Sequence, residues 1–179
     1  MTHTTGVVFK REDCAGFGVR VLVDFIDIVL AILAVVLISF PLLLIIPDDA
    51  LSQIRAVFFL AVAVWLTYFV FLKYSSRTLG YRLCGVRLVN LQGQPPTLWE
   101  VFTRGLFAVI GPGNLFFDLI WLGGDPHRQA LRDKFAHTYV VRSGAEPVAT
   151  GPIGYTTFTI MGSNFTFQEV RALNAEEAR

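Results

Sequence analysis

The chain has 179 residues, 54% of them hydrophobic and 16% charged, whereas an ordinary soluble domain carries roughly 25% charged residues. That balance points away from a water-soluble enzyme and toward a membrane protein. A formal net charge of +1, with no basic run or basic helical face, excludes nucleic acid as the expected partner.

Residues 1–15 read as a cytoplasmic N-terminal tail carrying Lys10 and Arg11. Apolar character then runs from Val21 to Ile46. A stretch of that length exceeds the ~20 residues needed to cross a hydrocarbon core and the roughly 7–15 of a signal-peptide core. We therefore expect a retained transmembrane helix over about 21–46, kinked by Pro41 near its far end.

Arg20, Asp24 and Asp27 stand at the start of this span, at i, i+4 and i+7, so they share one helix face. An uncompensated carboxylate at this depth costs a few kcal/mol on insertion scales. Arg20 is expected to neutralise one aspartate by a charge-assisted pair, leaving the other with a raised pKa. Three readings stand beside one another. The trio is a structural lock to other segments, an exchange site for a proton or sodium, or a seat for a lipid headgroup.

A polar turn at Pro47-Asp48-Asp49 leads to a second span over about 56–72, flanked by Arg55 and Lys73, whose stems can snorkel to the interfaces. Gly85 to Leu98 combines strand-forming residues with turn chemistry, and Ala136 to Arg142 is rich in β-formers. The two are expected to pair as a small cytoplasmic β-hairpin-like element. Between them lies a third apolar region, Gly105 to Gly124, interrupted at its centre by Gly111-Pro112-Gly113-Asn114 and burdened by Asp118.

Cytoplasmic loops carry excess lysine and arginine. With two spans, the N-terminus and the segment holding Lys73, Arg77, Arg82, Arg87 and Arg104 lie on one side. Arg128, Arg132, Lys134 and Arg142 join them only if residues 98–124 form a re-entrant hairpin rather than a plain third span. Beyond Ser143 the sequence is polar and rich in Gly and Thr, and we expect an irregular C-terminal tail over 143–179, with an amphipathic helix only near Phe167 to Ala178. The expected fold is thus an all-α membrane protein: two full transmembrane helices, a re-entrant or third membrane helical hairpin, a small β-hairpin-like element and an irregular tail.

No chemistry of catalysis stands out. His3, His127 and His137 show no metal-ligand spacing, and neither do Cys14 and Cys84, which read as free thiols. The Gly-Pro-Gly-Asn segment lacks the lysine of a phosphate-binding loop. No enzyme activity, metal or cofactor is expected. Trp99 and Trp121 read as interfacial belt residues.

Three blocks carry a resemblance: "AGFGVRVLVDFIDIVL", "TLGYRLCGVRLVNLQGQPPTLWEVFTRGL" and "RQALRDKFAHTYVV". In order and spacing they resemble the RDD family of bacterial membrane proteins, named for an arginine and two aspartates matched here by Arg20, Asp24 and Asp27. The middle block resembles the family pattern through Thr78, Gly80, Arg82, Gly85, Arg87 and Val89. The last resembles it through Arg128, Gln129, Ala130, Leu131, Asp133, Ala136, Thr138 and Val140. Arg132 stands where a histidine is usual, and His137 where a glycine is usual at a turn.

The likeness covers residues 16–142 as a membrane domain. It implies a bacterial inner-membrane location, multi-pass with the N-terminus in the cytoplasm. It also implies cation/proton exchange, with sodium or protons as cargo, or a transport-associated role. Arg104, Asp118, Arg128 and Asp133 become expected partners of the trio. Two functions follow as expectations. One is an oligomeric exchanger using Asp24 and Asp27, with Arg20 setting their pKa. The other is an accessory or assembly subunit of a larger membrane complex, in which the trio locks helices; membrane lipids are partners in both.

Overall fold

The computed structural model describes residues 5–46, 49–72, 78–109, 118, 120–125, 127–160 and 163–171. Two long helices form first. Helix α1 (Phe17–Leu43) has 27 residues and α2 (Ala50–Trp65) continues into a π-helical turn over Leu66–Leu72. At 1.5 Å per residue α1 is about 40 Å long, more than the ~30 Å of a bilayer's hydrocarbon core. Both helices are long and apolar enough to cross a membrane, and they pack on each other. Their outward faces carry bare hydrocarbon, with Phe40 71% and Phe59 68% exposed. Asp49 caps α2, its carboxylate accepting from Ser52 N at 2.8 Å. Pro41 lies inside the last turn of α1, not beyond it.

The rest of the described chain builds a mixed cap at the end where α1 begins and α2 ends. Its helices are α3 (Leu79–Leu83), α4 (Leu98–Val109) and α5 (Leu131–Ala136), with residues 120–124 also helical. Its strands are β1 (Thr5–Val8), β2 (Val86–Asn90), β3 (Thr138–Arg142), β4 (Ala149–Ile160) and β5 (Ser163–Val170). β2 pairs antiparallel with β3, from Val86 opposite Arg142 to Asn90 opposite Thr138. A second antiparallel sheet runs in the order β1-β4-β5.

The all-α expectation therefore fails. About half of the chain is helical, but two antiparallel sheets are present, and the tail is where most of the difference lies. Residues 149–160 and 163–170 form a long hairpin instead of irregular chain, and Phe167 is in a strand, not a helix. The physical reason is legible afterwards. Tyr155, Thr157 and Thr159 are exposed while Thr156 and Phe158 are half-buried, the alternation of a strand with one wet face. Thr, Tyr and Phe suit such a surface, and polarity alone had disguised it. Nor is the N-terminus a loose tail: Thr5–Val8 pairs with 149–152, and Val8 and Phe9 are buried.

The β2/β3 pair is buried on both faces. Val86, Leu88 and Val140 point into a core with Val23, Tyr81 and Val101. Val89, Tyr139 and Val141 point the other way, into a core with Val8, Phe9, Cys14 and Val170. Successive side chains of a strand alternate in this manner. The two cores join the foot of α1 to both ends of the chain. A third apolar group is aromatic, with Phe167 packed edge-on to Trp121 at 6.0 Å and Phe135 at 5.2 Å.

The Gly-Pro-Gly-Asn segment at 111–114, which decides between a hairpin and a third span, lies outside the described residues. So do the two ends of the chain, 1–4 and 172–179.

Candidate functional site

Helix α5 carries three consecutive charged residues, Arg132, Asp133 and Lys134, all buried. Consecutive positions on a helix point about 100° apart, so each reaches a different neighbour. Asp133 takes Arg20 of α1 on one carboxylate oxygen and Arg104 of α4 on the other. It also accepts from the Ala130 backbone N–H at 3.1 Å, which caps its own helix. Arg20 is held further by Ala15 O at 2.8 Å and Arg128 O at 2.7 Å.

Arg132 points toward the spans. Its Nη2 lies 2.6 Å from Asp24 and its Nε 2.9 Å from Asp118, while its backbone N–H donates to Asp118 at 2.8 Å. Lys134 points toward the sheet, 2.5 Å from Asp125 and paired with Glu169 of β5, with its ammonium over the Phe158 ring. One short helix thus ties α1, α4, the 118–125 segment and β5 together through charge.

The trio on α1 is accordingly split. Arg20 does not pair with an aspartate of its own helix; it crosses to Asp133, and Asp24 crosses to Arg132. Helix neighbours at i, i+4 share a face, but long-range partners with planar geometry displace the local pair. Asp27 is fully buried and accepts from Gly80 N at 3.0 Å and Tyr68 Oη at 3.1 Å.

Of the expected partners, Arg104, Asp118 and Asp133 are in this network. Arg128 contributes differently: its carbonyl receives Arg20, and its side chain donates to Cys14 O at 3.4 Å. Lys134 was counted in sequence only as one of the basic residues that set topology, and Asp125 and Glu169 were not singled out, Glu169 because it sits in the segment read as a tail.

The middle motif positions this network. Thr78 caps α3, accepting from Tyr81 N at 3.5 Å. Gly80 lets α3 press onto α1, where a Cβ would fall 2.6 Å from Asp27 Oδ1 and from Val23 O. Gly85, at φ +63, makes the left-handed turn into β2 that only glycine takes without strain. Arg87 donates to Ala145 O at 2.9 Å, and Arg82 is exposed. His137, where the sequence resemblance leads one to expect glycine, occupies a left-handed φ of +54 as the C-cap of α5. The turn is kept, and the side chain is tolerated at a strain cost of about 1 kcal/mol.

Between α1, α2, α4 and α5 lies a cleft of ≈ 480 Å³. Its walls are apolar: Ile28, Ile32 and Val36 of α1 face Ala61 and Trp65 of α2. Its floor is charged, formed by Asp24, Arg104 and Arg132. Among the described residues, no cluster of three or more His, Cys, Asp or Glu could hold a metal ion.

Burial lowers the pKa of His127, with Asp125 opposing and Lys134 assisting. Protonation therefore costs the folded state more than the unfolded one. The contribution of His127 to stability is complete above pH 6.5, and it is lost as pH falls through the lowered value. Replacing His127 with Gln should flatten the loss of thermal stability between about pH 7 and 5, as melting in detergent at those two pH values would report.

The RDD family model matches residues 14–137. No curated protein and no solved structure matches.

Proposed function

The chain belongs to the RDD family, and from that premise we propose that it is a non-enzymatic accessory or assembly subunit of the bacterial inner membrane. In this reading α1 and α2 cross the bilayer, the N-terminus and the cap face the cytoplasm, and the charges on α1 fasten the spans to the cap. The observation that carries it is the engagement of the trio: Arg20 with Asp133, Asp24 with Arg132, and Asp27 with Gly80 and Tyr68. Breaking such a buried pair is costly, so the charges hold a fixed geometry. A rigid cap joined to two helices with bare outer faces suits a protein that docks beside other membrane subunits or a second copy of itself.

A second reading, cation/proton exchange, draws on Asp24 at the cleft floor and on Asp27, a fully buried carboxylate in the first span. Buried intramembrane carboxylates are where proton relays are built. One comparison separates the two. Vesicles holding the wild-type chain should show no sodium- or pH-driven flux above empty vesicles, and mild detergent extraction should recover partner subunits in constant ratio. Flux that Asp24→Asn abolishes in a folded, inserted protein would overturn the assembly reading.

A further inference from the structure

We propose that the free edge of β5 pairs antiparallel with β5 of a second copy of this chain, about a two-fold axis at Thr166, so that the two sheets join into one. The pairing stands whichever function the clasp serves, assembly or exchange.

The edge is open and unguarded. Among the described residues β5 has one strand neighbour, β4, and Asn164, Phe165 and Thr166 are exposed. Natural proteins blunt such edges with lysine, proline, bulges or short strands. β5 runs for 8 residues without lysine or proline, and its register with β4 is unbroken. Its one charged side chain, Glu169, is turned to Lys134. The ladder shows which backbone groups are on offer. Arg171 N–H donates to Pro152 O, and in an antiparallel ladder the bonded pairs recur at every second residue. The odd-numbered residues of β5 therefore bond β4, while Asn164, Thr166 and Gln168 turn their N–H and C=O groups outward.

The sequence selects the partner. Around Thr166 the run Asn-Phe-Thr-Phe-Gln, residues 164–168, has the same chemistry read in either direction. Opposed antiparallel to itself, it sets Thr166 against Thr166, Asn164 against Gln168 of the second copy, and Phe165 against Phe167 of the second copy. Outward-turned residues then meet outward-turned residues, in roughly six backbone hydrogen bonds. Like side chains also share a face. The wet face continues as a row of threonines, Thr157 lying 3.1 Å from Thr166 within each copy, and the dry face continues as facing aromatics. An adjacent axis between two residues would oppose Thr166 to a phenylalanine, wet face to dry. An axis at Phe167 would oppose Phe165 to Glu169, and one at Phe165 would oppose Phe167 to Ser163. With the axis at Thr166, Glu169 meets Ser163, so no two carboxylates are opposed.

The membrane permits this symmetry. On α5, Arg132 and Lys134 point about 200° apart, one to Asp24 of α1 and the other to Glu169 of β5. Spans and hairpin thus lie on opposite sides of that helix. A two-fold axis normal to the sheet is then compatible with the axis along the spans that two copies in one bilayer require.

The test uses the whole chain in membranes, in a Cys84→Ala background. Thr166→Cys should give a disulfide-linked dimer on mild oxidation, because facing residues of a bonded pair lie about 5.5 Å apart at Cα, within the reach of a disulfide. Asn164→Cys alone should not, since its two copies lie about 14 Å apart along the strands. Chains with Asn164→Cys mixed with chains carrying Gln168→Cys should cross-link. Thr166→Pro removes an outward N–H and leaves the bonds to β4 in place. It should weaken the dimer about thirtyfold through two lost hydrogen bonds, read as energy transfer between labelled chains across a dilution series. Protection of the Cys14 thiol, 3% exposed in the fold, shows that the cap is intact. Thr166→Lys, which opposes two like charges, serves if the proline disturbs the hairpin.

Absence of the Thr166→Cys dimer, or an Asn164→Cys dimer that forms as readily, would overturn the proposal. So would a dimer unchanged in a folded Thr166→Pro chain, or a strand of a different protein cross-linked at position 166. Co-purification of other subunits tests the assembly reading separately, since it is measured on the wild-type chain.

Discussion

Asp133→Ala is expected to cost roughly 3–5 kcal/mol, the penalty for leaving buried charges without their partner. The change strands two cations at once: Arg20 and Arg104, whose side chains are 2% and 4% exposed. It also removes the acceptor that caps α5 at Ala130. Typical domains are stable by only about 5–15 kcal/mol, so the variant should lose a large fraction of its stability. Cys14 supplies the readout. It is 3% exposed and burial pushes its thiol up to about 11, so maleimide labelling should be slow in the folded cap and rise when the cap opens. In a Cys84→Ala background the rate of labelling across a denaturant series measures stability. Removing all three charges together, as Arg20→Met, Arg104→Met and Asp133→Leu, should recover a large part of the loss, because a well-packed apolar replacement escapes the desolvation cost. Recovery of that kind marks the clasp as structural.

Lys134→Met is the second large effect, at roughly 3 kcal/mol. It sits at the lower end of the range because one of the two carboxylates left behind, Glu169, is 18% exposed and partly hydrated. Asp125, at 2%, bears most of the penalty. The readout differs from that of Asp133. The loss should appear first as protease sensitivity in the β4–β5 hairpin, since Lys134 is the ion-pair link from α5 to β5. For the same reason truncation after Ser143 is a poor probe of partner binding. It would take Val170 out of one core and Phe167 out of the aromatic group, and would leave β1 without β4. A truncated chain that kept Cys14 protected would show that the hairpin is dispensable, contrary to this account.

The two long apolar helices were legible because length and unbroken apolar character are sufficient for them: α1 starts four and ends three residues before the expected bounds, and α2 starts six residues early, its π-helical continuation ending at the expected Leu72. The β2/β3 pairing was legible from strand-forming residues and turn chemistry in the two stretches that flank the third apolar region. The trio was found as an expense that something had to meet. Asp133 entered as a partner only through the family resemblance, since it is 113 positions from Arg20 and nothing local chooses between it and the nearer Asp24; Arg132, which holds Asp24, was read only as a basic residue and a departure from the family's histidine. The β4–β5 hairpin was missed for another reason. Its Thr-rich wet face lowers the apolar content of the segment to that of a tail, and the pattern that matters is the alternation, with Phe167 buried while Phe165 and Thr166 are not. Glu169, the partner of Lys134, was lost with it.

The long separation within the clasp has a consequence for how this protein is made. A ribosome adds about 5–20 residues per second, so the 113 positions between Arg20 and Asp133 take on the order of ten seconds to synthesise. During that delay Arg20 and Asp24 exist without Asp133 and Arg132, whereas Asp27 meets Tyr68 and Gly80 earlier. Birth order thus leaves the foot of α1, like β1 before it, waiting for partners made near the other end of the chain.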